Sequence, residues 1–207
     1  MKFDMQAKVL GMVFTKMLKK YYKENFPEVD IKNVAKEVNK EYRAIVERTP
    51  SIGKTMVSSN LVGASYFFAI AKKVPNMTPE LMDKIVKDVM YSDMMVKMYA
   101  KTKKKGLLFS EKEQDKWAKD AERSQQSNLD FDWKYTFVKG KDEFSYKYTK
   151  CGVCRLAEAE NLLDYLPCMC RMDYPKFEIK GAKLDRAHTI ANGDGYCDFH
   201  LTRIKED

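Results

Sequence analysis

Apolar residues recur at helical spacing through the first 125 positions and then switch to alternation. Val9, Met12, Val13, Met17, Leu18 and Tyr21 fall on one face and predict a helix over 4–24. Pro27 interrupts it, and Asp30 stands as N-cap to a second helix over 31–48, with Ile31, Val34, Val38, Tyr42, Ile45 and Val46 on its buried side. Thr49-Pro50-Ser51 predicts the start of a third helix, 51–73, apolar most of the way round and therefore central. Thr78 as cap and Pro79 in the first turn open a fourth, running to Ala100 and rich in methionine at 82, 90, 94, 95 and 98. Ser110 and Glu113 form a capping box that starts a fifth helix, ending near Ser124.

Beyond the polar run Ser124–Asn128 the period is two. Trp133, Tyr135 and Phe137 alternate with polar residues, Gly140-Lys141-Asp142 turns the chain, and Phe144, Tyr146 and Tyr148 alternate again: a hairpin with an aromatic buried face. A helix is predicted from Cys154 to Met172, interrupted near Pro167 and closed by Pro175. Strands over 183–190 and 196–204 then flank Asn192-Gly-Asp-Gly, a strong turn signal. In that register Leu184, Arg186, His188 and Ile190 share a face. So do Cys197, Phe199 and Leu201, with Asp198 and His200 opposite. The pattern predicts an α+β fold: an N-terminal helical region of about five helices (1–128) packed with a C-terminal ββαββ antiparallel sheet unit (129–207), forming one compact body.

Composition narrows the function classes. Hydrophobic residues are 44% of the chain, enough for a substantial core, yet the longest apolar stretch, Met56–Ala71, is broken by Ser58, Ser59, Asn60 and Ser65, so no membrane partner is expected. Asp4 and Gln6 stand where an export leader would be apolar, and the expected location is cytoplasmic. The net charge of +8 comes mainly from lysine; only seven of 38 basic residues are arginine, and no nucleic-acid partner is expected. Lys101–Lys105 reads as a solvated loop. The thirteen methionines read as a plastic core or, more sharply, as the lining of an apolar pocket. Oligomeric state is left open.

All five cysteines lie between 151 and 197, with both histidines, His188 and His200, among or just beyond them. Cys154 is expected at a helix start, where backbone amides favour a thiolate. Cys168 and Cys170 follow Pro167, and Asp173 shares a helix face with Cys170. Cys197 points to an apolar layer, and Arg186 and His188 lie among apolar neighbours. The C-x-x-C followed by C-x-C superficially resembles a four-thiolate zinc site, but the C-x-C spacing and a first cysteine ending a strand argue against a knuckle. The sequence requires no cofactor and leaves zinc or another divalent metal open.

Cys154, then LPCMCRMD (166–173), then RAHTIANGDGYCDF (186–199) resemble the L-2-amino-thiazoline-4-carboxylic acid hydrolase family. The resemblance covers about residues 150–200. It implies a hydrolase that opens a small cyclic substrate by adding water across C=N. It implies Cys170, Asp173 and His188 as catalytic candidates (nucleophile or ligand, base, and general acid/base), with Arg186, Cys154 and Cys197 lining the substrate pocket. Cys151 and Cys168 fall outside the motif. The competing reading is a non-catalytic sensor module for a small ligand or metal.

Overall fold

The computed structural model describes residues 1–104 and 106–205. Side-chain caps set the helix starts. Asp4, Asp30, Thr78 and Ser110 accept from the amides of Ala7, Asn33, Leu81 and Glu113 at 3.0, 3.2, 3.2 and 3.4 Å. They open α1 (Met5–Asn25), α2 (Ile31–Arg48), α4 (Pro79–Met90) and α6 (Glu111–Gln125). The third helix, α3, spans Ser58–Lys73 and starts seven residues later than its pattern suggested. There the Ser58 hydroxyl accepts from Thr55 N and donates to Thr55 O, a local turn that competes with helix. The predicted 79–100 helix is two, α4 and α5 (Asp93–Lys104), because the Ser92 hydroxyl donates to Val89 O at 2.7 Å where the chain bends. Lys101–Lys104 form the last turn of α5, where cations complement the helix dipole, and not a loop; Lys105 lies outside the described residues.

The aromatic hairpin forms as expected: β1 (Lys134–Val138) pairs with β2 (Glu143–Lys150). With β3 (Ala182–Asp185) and β4 (Cys197–Arg203) they make one antiparallel sheet in the order β1-β2-β4-β3. Tyr146 faces Phe199 and Tyr148 faces Cys197 across the β2–β4 pair. Tyr135, Phe144, Tyr146, Tyr148, Cys197, Phe199 and Leu201 are buried on one face, and Trp117 of α6 stacks on Phe137 and Tyr146.

The cysteine-bearing segment is three helices: α7 (Gly152–Ala159), α8 (Leu166–Arg171) and α9 (Asp173–Ile179). Pro175 does not end this segment. It sits in the first turn of α9, where its missing N–H breaks no intrahelical bond. The strand predicted over 183–190 stops at Asp185, because the next amides are taken by side chains. Asp198 accepts from Ala187 N and His188 N, and Asp194 accepts from Thr189 N. Arg186 and His188 therefore lie on an irregular connection, which passes through a 3₁₀ turn at Ile190–Asn192 and a left-handed Gly193 (φ 92°).

α3 packs on α7, α4 on α8 and α9, and α5 on α9. At the end of α7, Glu160 is buried and held by both nitrogens of an Arg48 fork, at 2.7 and 2.5 Å, and by Lys72. Among the described residues no helix is long and apolar enough to cross a membrane.

Candidate functional site

Three elements bring polar groups into the space behind the aromatic sheet face. The chain leaves β2 into Cys151, which caps α7. Gly152 is required at that junction, since a Cβ there would lie 2.1 Å from Phe131 O and 2.7 Å from the Trp133 ring. α8 ends just beyond Cys170 and α9 opens on Asp173. Cys197 begins β4, and its sulfur accepts from Ile190 N at 3.2 Å.

Arg186 organises the centre. Its side chain is 2% exposed, with Nη1 3.1 Å from Asp173 Oδ2 and Nη2 donating to Cys170 O at 2.7 Å. The guanidinium lies between the rings of Tyr174 and Phe199, at 5.0 and 4.8 Å. Its Nε is buried with no partner among the described residues. Asp173 is also held by Lys176 Nζ, 3.1 Å from Oδ1. Burial opposes the charge on Arg186 and on Lys176, but Asp173 together with Cys170 and Tyr174 around Arg186, and with Tyr99 beside Lys176, outweighs it, and both are held above their ordinary pKa. One carboxylate thus faces two cations.

The thiols divide. Burial, then the Asp173 charge, pushes the Cys170 thiol up to about 12, so it is neutral at pH 7. Burial lifts Cys197 to about 11. Cys154, expected to be the thiolate, is pushed upward, first by its hydrogen bond to Cys151 and then by burial. Cys151 moves the other way. The Cys154 thiol lowers it, against burial, helped by the amides of Cys154 and Val153. The reason is position: α7 starts at Gly152, two residues before the predicted start, so the cap is Cys151 and Cys154 is already inside the first turn.

Cys151, Cys154, Cys170, Asp173, Arg186 and Cys197 lie within electrostatic reach of one another. Tyr146 and Tyr148 join them; burial raises both phenols well above their ordinary values. His188 stands apart. Its ring is 44% exposed, with Nδ1 3.2 Å from Tyr196 Oη and 3.5 Å from Asp198 Oδ2. Cys168 also leaves the group, donating to Pro79 O at 3.2 Å in the α4–α8 contact.

Sequence reasoning missed four participants. Lys176 was legible as a cation one turn after Asp173, and Cys151 as the residue before the true helix start. The tyrosines were read only as core. Among the described residues, no group of three or more His, Cys, Asp or Glu is arranged to hold a metal ion. Two open clefts, about 550 Å³ beside Met12 and Asn39 and about 790 Å³ between Lys104 and Arg203, are lined by other residues. Of the methionines, Met82, Met90 and Met95 are packed in the core, while Met94 and Met98 are exposed.

A family model described as L-2-amino-thiazoline-4-carboxylic acid hydrolase matches residues 59–201, from α3 through most of β4. No curated protein and no solved structure gives a significant match.

Proposed function

Because the chain belongs to the L-2-amino-thiazoline-4-carboxylic acid hydrolase family, we propose that it opens a small cyclic amidine-like acid by adding water across its C=N bond, at Cys170, Asp173 and Arg186. The observation that carries this reading is the Asp173 carboxylate gripped by Arg186 and Lys176 beside a neutral Cys170 thiol. An amidine-like group is cationic or readily becomes so, and a carboxylate is its natural partner. The spare Nε of Arg186 and the excess of positive charge suit the substrate's own carboxylate.

The steps balance as follows. Cys170 sulfur bonds to the electrophilic ring carbon as its proton passes to Asp173 and the C=N pair moves to nitrogen. The ring C–S bond breaks, and the departing sulfur takes the proton from Asp173. Water then attacks the same carbon as the C=N pair moves to nitrogen and Asp173 accepts one of its protons; the Cys170 sulfur leaves and takes that proton back from Asp173 to become a thiol, while the hydroxyl proton passes to the nitrogen, giving the carbamoyl product. Cys154, Cys197 and the two tyrosines surround this group. His188 stands outside these steps, beside Tyr196 and Asp198.

Turnover of a thiazoline carboxylate, followed as release of a free thiol, tests this. Cys170→Ala and Asp173→Asn are each expected to lower kcat by roughly 10²-fold or more. Near wild-type turnover in either variant removes that residue from the chemistry. A wild type that binds the acid without consuming it moves the site to the ligand-sensor reading.

A further inference from the structure

The proposed hydrolysis gives Cys151 no role and asks no chemistry of Cys154. Cys151 and Cys154 form a C-x-x-C in which the first cysteine caps α7 and the second lies in its first turn. Both are only partly buried and both are free thiols. Arg155 N bonds to Cys151 O at 3.2 Å, so the cap residue is drawn into helical hydrogen bonding and the two side chains sit over the same turn. The junction is tightly packed: Phe131 O and the Trp133 ring leave no room for a Cβ on Gly152.

We propose that Cys151 and Cys154 are a redox-active dithiol that reacts with small disulfides, Cys151 as the attacking sulfur and Cys154 as the resolving one. The asymmetry between the two sulfurs assigns the order. Cys151 is the N-cap residue of α7, at the positive end of the helix, and although its side chain makes no capping bond the nearby Cys154 thiol and the Cys154 and Val153 amides favour its anion. Cys154 keeps its proton chiefly because it donates to Cys151. In the first step Cys151 thiolate attacks a disulfide R–S–S–R. A Cys151–S–S–R bond forms and R–S⁻ leaves with the electron pair. That step cancels the negative charge that held the proton on Cys154. Cys154 then loses the proton to solvent and attacks Cys151 sulfur, expelling the second R–S⁻ and closing the Cys151–Cys154 bond. The dithiol is oxidised by two electrons and the small disulfide is reduced to two thiols. Cys170 and Cys197 are poor competitors: burial holds both as neutral thiols near pH 7.

The test uses the full chain, glutathione disulfide in excess, and intact mass with peptide mapping under non-reducing conditions. Wild type is expected to lose two hydrogens and to map a Cys151–Cys154 bond. Cys154→Ser is expected to retain one glutathione on Cys151, and Cys151→Ser to react about tenfold or more slowly. An unmodified wild type, an adduct on Cys170 or Cys197 in Cys154→Ser, or undiminished reaction of Cys151→Ser would overturn the proposal. The far-ultraviolet spectrum of each variant separates a chemical loss from an unfolded chain, and the rise of wild-type rate with pH gives a second reading without mutation. It must begin below about pH 8.5, the range of an ordinary thiol, and a rise only above it overturns the assignment. Mass, not turnover, is the readout, so this proposal and the hydrolase reading fail independently.

Discussion

α7 carries a different chemistry at each end, although both ends lie near a carboxylate held by one arginine and one lysine. Beyond its C-terminus, Glu160 takes a two-pronged Arg48 and Lys72, with Glu41 also 2.7 Å from Arg48. Two carboxylates meet those two cations, and none of these groups is left with a buried unpaired nitrogen or oxygen among the described residues. The arrangement also offsets the misfit of a negative charge at a helix C-terminus. Near its N-terminus, Asp173 meets Arg186 and Lys176 by single contacts at 3.1 Å, one guanidinium nitrogen is idle, and thiols and phenols crowd round. The same residue types form a fully satisfied structural tie in one place and a candidate site with an unpaired donor in the other. The difference is spare hydrogen-bonding capacity, which a native interior retains at a cost and which a ligand can use.

Removing each carboxylate should separate the two roles most sharply. Glu160→Ala is expected to lower stability by about 2–3 kcal/mol, less than the loss for a fully buried pair because Arg48 is 44% exposed, and to leave kcat within about twofold of wild type. Asp173→Asn should abolish turnover, and because it leaves the buried Arg186 without its carboxylate the urea midpoint should fall as well. If both variants lose stability alike and retain turnover alike, the distinction collapses. Gly152→Ala probes the helix between them. The clash with Phe131 O and Trp133 is expected to cost about 1–3 kcal/mol and to slow Cys151 alkylation, with the Glu160 tie intact. Equal alkylation rates would detach the thiols from the α7 junction.

The smallest effect is in pH dependence, where the two ends have opposite windows. Burial raises Glu160, but Arg48 and Lys72 more than offset this and leave it lowered, so its stabilisation is present above about pH 4.3 and is lost as pH falls through its folded value. Cys170 and Cys197 are raised to about 12 and about 11, so the folded state holds their protons longer than the unfolded chain. Their contribution is complete below about pH 8.5 and is lost as pH climbs toward those values. Urea midpoints measured across pH should show the acid arm flattened in Glu160→Ala and the alkaline arm flattened in Cys170→Ala. Swapped arms would refute the assignment.

Much of this was legible in the chain because short-range physics wrote it. Thr78-Pro79 and the Ser110 capping box set two helix starts, and alternation at Phe144, Tyr146 and Tyr148 identified the buried sheet face. The α+β class followed from the change of period. What could not be read depended on partners distant in sequence. Ala187 and His188 have the pattern of a strand, but the Asp198 carboxylate takes their amides, and the strand ends before Arg186. That one competition moved His188 to the surface and buried Arg186 beside Asp173. Cys151 and Cys154 exchanged roles over a shift of two residues in a helix start, a distance that propensity does not resolve. Lys176 was passed over because its neighbour Pro175 read as a helix stop.

The grip of Arg48 on Glu160 has a further consequence. The family match begins at residue 59, beyond α1 and α2, yet Arg48 belongs to α2 and Glu160 lies inside the matched segment. A protein cut to the shared segment would retain every thiol and still carry an acid in its interior with only Lys72 to answer it. The leading helices thus stabilise the matched segment from outside it: a chain cut to 59–201 would fold without the guanidinium that α2 supplies to Glu160.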